Sequence, residues 1–173
     1  AKSTAVFRLG MIYGPNFKEG YFQVLDLLLK NKMRIIGSGE NRIPLIHQED
    51  AANAFLAGIK SKNPIGYKEY NIVGKEYYTQ KQLLYMAAKK LKVLPPSKHM
   101  PYLLAKFLIY AFSILKKSSL HSDYLRQLAS DRAYSYELAK KELNFEAKIK
   151  LEDGLNQVVE QYLKEKGDFF GKS

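Results

Sequence analysis

The sequence predicts an α/β fold in which a few parallel strands give way to a mostly helical C-terminal part. Three observations carry that expectation. Short apolar runs without alternation, bounded by glycine, proline or polar turns, read as parallel strands covered on both faces. Between them lie segments with apolar residues three and four apart, the spacing of one helix face. After Pro95-Pro96 the strand-like runs stop and only helical spacing remains.

The first element is the apolar run 4–9, which ends at Gly10 and leads to the turn at Gly14-Pro15. Apolar residues at 21, 24, 25 and 28 predict a helix over 20–30. MRIIG and IPLIH are two short strands separated by the loop SGEN. Asp50 reads as the N-cap of the next helix, with Ala51, Ala52, Phe55, Leu56 and Ile59 as its inward stripe. YNIV, 70–73, is another buried strand. Thr79 and Gln82 form a T-x-x-Q capping box, opening a helix with its stripe at 83, 84, 87, 88 and 91. Beyond the prolines, helices are expected at 101–116, 122–130, 135–143 and 151–165. The chain thus divides into a strand-bearing part, 1–94, and a helical part, 95–173. A strand-and-helix series this short cannot by itself build a sheet covered on both faces, so it is expected to extend a larger sheet.

With 173 residues and an apolar fraction of 46%, the chain can bury an ordered core. The absence of cysteine excludes disulfides, thiolate metal sites and cysteine nucleophiles. His47, His99 and His121 lack the close spacing of a zinc pair, and no metal is expected. The net charge of +11 is carried mostly by lysines spread along nearly every helix, with arginine sparse. Nucleic-acid readers concentrate arginine on one face for bidentate contacts, so no nucleic-acid partner is expected. An anionic small ligand, such as a dinucleotide or a nucleotide-sugar, suits the same field. The most apolar stretch, PYLLAKFLIYAFSIL, is interrupted by Lys106 and Ser113 and is shorter than the ~20 residues a bilayer span requires. It reads as a buried or edge helix; a helix resting on a membrane surface, followed by Lys116 and Lys117, is the alternative. No segment reads as a signal peptide, and the expected compartment is the cytoplasm.

Three patterns imitate functional motifs. GSGENR, 37–42, resembles a GxGxxG dinucleotide fingerprint, but Arg42 stands at the third glycine and a strand follows where a helix is needed. A tight turn between strands is expected instead. Tyr-x-x-x-Lys occurs at Tyr77/Lys81, Tyr85/Lys89, Tyr102/Lys106, Tyr136/Lys140 and Tyr162/Lys166, as amphipathic helices rich in both residues produce. His47 and Asp50 form no acid/base pair without a nucleophile or metal beside them; capping and local bonding are expected of them.

Taken in order, RLGMIYGP, GSGENRIPLIHQEDAANAF, YNIVGKEYYTQKQLLYMAAKKL and the tail AYSYELAKKELNFEAKIKLEDGLNQVVEQYLKEKG resemble the C-terminal half of extended short-chain dehydrogenase/reductases, the NAD-dependent epimerase/dehydratase family. The family's Leu-Gly-Phe-type turn here reads Leu143-Asn144-Phe145. The resemblance implies the end of a Rossmann-type parallel sheet plus a small, mostly helical substrate-binding region. It implies NAD or NADP as cofactor of the full-length enzyme, and hydride transfer at a secondary alcohol or ketone of a small-molecule substrate such as a nucleotide-sugar. The glycine-rich βαβ unit and the catalytic Tyr and Lys would lie in an N-terminal Rossmann half, so no catalytic residue is expected in this chain and alone it should be inactive. Leu9, Gly10, Met11, Ile12 and Tyr13 would lie beside the cofactor, while Met11, Arg42 and Tyr21 would contact substrate, Arg42 as a fork for its phosphate. Many sugar-nucleotide members carry Asn or Ser where Gly10 and Met11 stand. That departure admits a reductase of steroid- or flavonoid-like ketones as the alternative, beside a non-enzymatic membrane-surface module. Substrate, NAD against NADP, and homodimer formation are left open.

Overall fold

The computed structural model describes residues 4–18, 20–61, 66–116 and 130–170. Its elements are β1 (Thr4–Leu9), β2 (Met11–Tyr13), α1 (Tyr21–Leu29), β3 (Ile35–Ile36), β4 (Arg42–Ile43), β5 (Leu45–His47), α2 (Gln48–Lys60), β6 (Tyr67–Ile72), β7 (Tyr78–Thr79), α3 (Gln80–Leu91), β8 (His99–Met100), α4 (Tyr102–Lys116), α5 (Glu137–Leu143) and α6 (Leu151–Phe170). They fall into two units interleaved along the chain. One joins Ala1–Phe22, Pro44–Tyr77 and Ala133–Ser173; the other joins Gln23–Ile43 and Tyr78–Arg132.

In the first unit β1 runs parallel to β6, with Phe7 opposite Tyr70 and Leu9 opposite Ile72, and β2 runs parallel to β5, with Tyr13 opposite His47. The chain changes partner at Gly10. Its N–H donates to the Ile72 carbonyl, while that of Met11 donates to Pro44. IPLIH is therefore broken at Pro44, which has no N–H to give, into two strands with different partners. The core gathers Ile46, Ala54, Tyr70, Ile72, Leu143 and Phe145, with Phe7, Leu9 and Ile12 packed against it.

Two expectations about burial are corrected here. β1 is not covered on both faces: Thr4, Ala5 and Arg8 are exposed, and among the described residues β1 pairs with β6 alone. In α2 the inward face is Asp50, Ala51 and Ala54, while Ala52, Phe55, Leu56 and Ile59 are exposed. The sheet approaches too closely for large side chains. A Cβ on Gly58 would stand 2.6 Å from Phe7 Cζ, and the small residues of α2 take that side. Phe55 still meets Phe7 at 5.0 Å between rings, the two tilted by 53°, from the margin of the interface.

α5 ends as the Leu143-Asn144-Phe145 pattern implies. Asn144 takes the left-handed conformation (φ 51°), and the N–H groups of Asn144 and Phe145 both donate to the Ala139 carbonyl, closing the helix and burying Phe145.

In the second unit β3 runs parallel to β8, and β4 antiparallel to β7. The capping box is present in full: Thr79 Oγ1 accepts from Gln82 N, and Gln82 Oε1 accepts from Thr79 N. Leu84, Ala87, Ala88 and Leu91 of α3 are buried, and Ala105 of α4 packs with Ile36, Met100 and Tyr102. The helix expected at 122–130 lies, but for Ser130, outside the described residues.

Candidate functional site

Five residues expected beside the cofactor, Leu9 to Tyr13, straddle the point where the strand changes partner. Leu9 and Ile12 turn into the core. Tyr13 is buried, its ring edge-on to His47 at 5.2 Å. Gly10 has no room for a side chain, since a Cβ there would meet the Pro44 carbonyl oxygen at 2.9 Å and Val73 Cγ1 at 3.2 Å. Close packing against Pro44 and Val73 thus explains the glycine at this place. Met11 is half-buried, and Tyr21 donates its hydroxyl to the Ile12 carbonyl at 3.0 Å, so Met11, Ile12 and Tyr21 are brought together. These residues could offer a bound dinucleotide the flank of a strand and a thioether, with no fixed charge.

Behind this strand stands a polar cluster. His47, 1% exposed, is the N-cap of α2: its Nδ1 accepts from Glu49 N at 3.3 Å. Nδ1 being an acceptor makes Nε2 the protonated nitrogen, which donates to Gln157 Oε1 at 3.1 Å. The expected cap, Asp50, is instead in the first turn of α2 and almost wholly buried. Its carboxylate reaches outward and accepts the N–H groups of Lys148 and Ile149, the latter at 2.9 Å, in the turn that opens α6. His47 and Asp50 are thus structural. Nearby, burial together with the hydrogen bond to Glu142 pushes the Tyr70 phenol up to about 12. The Glu142 carboxyl is held below its ordinary value by Lys68 and by Tyr70.

Arg42 belongs to the other unit. Its guanidinium grips Asp131 with both prongs, Nε to Oδ1 at 2.9 Å and Nη2 to Oδ2 at 2.7 Å, and its backbone N–H reaches Oδ1 at 2.8 Å. These contacts hold the Asp131 carboxyl well below the usual carboxylate range. The Arg42 carbonyl accepts from Arg132 N, so two arginines and one carboxylate are drawn together at one strand end. Asp131 has no local signal in the sequence, being 89 residues away from Arg42.

The turn 37–41 before Arg42 places Gly37 and Gly39 at φ 65° and 77°, as a tight turn demands. The N–H groups of Gln80 and Lys81, at the start of α3, donate to Asn41 and Gly39. The nearby helix N-terminus is thereby spent on the turn rather than on a pyrophosphate, and the GxGxxG imitation fails in geometry as in sequence. A hollow of about 390 Å³ beside it is lined by Glu40, Tyr78, Thr79, Lys81, Gln82, Tyr85 and Met86, but Thr79 and Gln82 cap each other and Lys81 faces Glu40 at 3.6 Å. Of the Tyr-x-x-x-Lys pairs, Tyr162/Lys166 places the ammonium over the ring at 5.2 Å, a cation–π contact. Among the described residues no group of His, Asp and Glu could hold a metal ion, and no helix is long and apolar enough to cross a membrane.

By sequence alone, no protein family and no curated protein matches the chain. The architecture does match solved structures. Over 93% of this chain it superposes on UDP-glucuronic acid 4-epimerase from Bacillus cereus, in complex with NAD, with TM-score 0.69 and 16% identity. The chain has the fold of the C-terminal part of such Rossmann-type epimerases. UDP-glucose 4-epimerase from Thermotoga maritima, with UDP-glucose, matches at TM-score 0.65 and 20% identity over 94% of this chain, and ADP-L-glycero-D-manno-heptose-6-epimerase from Helicobacter pylori at 0.67 and 13%, also over 94%. The chain spans 45%, 46% and 44% of the length of these three proteins.

Proposed function

We propose that this chain is the substrate-binding half of an NAD(P)-dependent epimerase acting on a nucleotide-sugar. The carrying observation is the epimerase-like fold over nearly the whole chain, entered through a strand whose second edge has no partner among the described residues. An N-terminal Rossmann half would supply the adjoining strands, the pyrophosphate site and the acid/base residues. The nicotinamide, when bound, supplies hydride transfer at a carbinol carbon. On this chain, the backbone along Gly10 to Tyr13 and the Met11 thioether would flank the cofactor, and Tyr21 would hold that strand by its bond to Ile12. Arg42 would take a substrate phosphate by the fork it now closes on Asp131, the carboxylate holding the guanidinium in position until a diphosphate competes for it.

Arg42→Ala is therefore expected to raise KM for a UDP-sugar about tenfold to a hundredfold, the worth of a charge-assisted pair, with a smaller change in kcat. Arg42→Lys should recover only part, because an ammonium cannot grip two oxygens in one plane. Folding should change little, since the Arg42–Asp131 pair is half-exposed. Steady-state epimerisation of UDP-glucose and UDP-glucuronic acid by the intact protein checks this. An unchanged KM would remove Arg42 from the site. Absence of turnover with any nucleotide-sugar would favour the second reading, a reductase of an apolar ketone, which the Gly10-Met11 pair supports.

A further inference from the structure

α4 packs on its unit by its smallest side: Ala105 is buried with Ile36, while Leu103, Phe107 and Tyr110 are 77%, 65% and 67% exposed. Those three stand at i, i+4 and i+7, one stripe of the helix, and Lys106 flanks them in the open. Such a stripe inverts the usual amphipathic arrangement. The charge of the sequence on either side of it is equally one-sided. From Tyr77 to Ser122 the sequence contains eight lysines and neither Asp nor Glu, so most of the net +11 is concentrated in this quarter of the chain.

We propose that α4 docks this protein on the surface of an anionic lipid bilayer, its apolar stripe in the acyl boundary and the lysines among the headgroups. The helix would lie in the interface rather than cross it, in keeping with its 15 residues. Charge complementarity selects this occupant. A second copy would bring the same lysine-rich block against itself. A nucleic-acid duplex would engage the lysines but leave Leu103 and Phe107 in water, and the block contains no arginine to read bases. An anionic bilayer satisfies both halves, as polybasic segments beside apolar anchors do.

Co-sedimentation of the intact protein with phosphatidylglycerol–phosphatidylcholine vesicles tests the proposal. Binding is expected with these vesicles and not with phosphatidylcholine alone, and should weaken with added salt. Leu103→Ser/Phe107→Ser should bind about tenfold more weakly or worse, from lost apolar burial alone. Lys98→Gln/Lys106→Gln should weaken binding with the stripe intact, and circular dichroism with size exclusion should show all variants folded alike. The proposal is overturned if phosphatidylglycerol vesicles fail to sediment the protein, or if the serine variant binds as well as the parent. It is also overturned if a DNA duplex outcompetes the vesicles, or if the serine substitutions abolish a concentration-dependent dimer instead. Vesicle binding needs no substrate or cofactor, so it succeeds or fails independently of the epimerase reading.

Discussion

Asp50→Ala is expected to destabilise the protein by about 3 kcal/mol in urea unfolding, the largest effect of any single polar substitution described above. Asp50 is 2% exposed, and its carboxylate accepts two backbone N–H groups, those of Lys148 and Ile149. Alanine leaves both donors without that acceptor, in a turn where Lys148 is exposed and Ile149 half-buried. A hydrogen bond to a charged acceptor is worth about 1.5–3 kcal/mol, and a buried group left unmade costs a similar amount. The acidic position in the first turn of α2 adds a favourable interaction with the helix dipole. Asp50→Asn should recover about half, because an amide oxygen can accept one of the two bonds well but cannot share the charge. A loss under about 1 kcal/mol for alanine would mean that the turn before α6 finds its acceptors elsewhere.

Gly154→Ala is the second, and its sign is opposite to what helix propensity predicts. Within the exposed interior of a helix, alanine is favoured over glycine by about 1 kcal/mol. Gly154 lies inside α6, yet a Cβ there would come within 2.6 Å of Tyr13 Cε2, 2.9 Å of His47 Cδ2 and 3.0 Å of the Tyr13 hydroxyl. Neither ring can retreat easily. His47 is tied at one nitrogen to the start of α2 and at the other to Gln157 on α6 itself, and Tyr13 is buried beside it. Overpacking of this kind costs about 1–3 kcal/mol, which outweighs the propensity gain. Thermal and urea unfolding should therefore show a net loss of up to about 2 kcal/mol. A stabilised Gly154→Ala variant would show that the close approach of α6 to β2 is not maintained.

Local chemistry made much of this architecture readable. The Thr79–Gln82 capping box is legible because it is settled within four residues, by backbone donors and side chains that satisfy them, whereas the Leu143-Asn144-Phe145 turn came through the family resemblance. The stripe of α3 was readable for the same reason, its apolar residues all facing one way. The phase of α2 was not. Phe55, Leu56 and Ile59 make the more hydrophobic stripe, but the sheet takes the face that lets it approach most closely, and that face is Ala51, Ala54 and Gly58. Asp50 looked like a cap because acidic residues open helices; its real partners lie 98 residues away, beyond any local pattern. The same distance hid Asp131 from Arg42. Gly10 shows no steric cause in the sequence; the Pro44 carbonyl supplies it.

The proposed division of labour between this chain and an N-terminal Rossmann half is tested most directly by a calorimetric titration with NAD. Two proteins are compared: this 173-residue chain, and the same chain preceded by the N-terminal Rossmann half proposed above. Saturable binding is expected of the longer protein and none of the chain alone, whose described residues offer a strand flank but no glycine-rich turn opening onto a free helix N-terminus. NAD binding by the isolated chain as tight as that of the longer protein would contradict it.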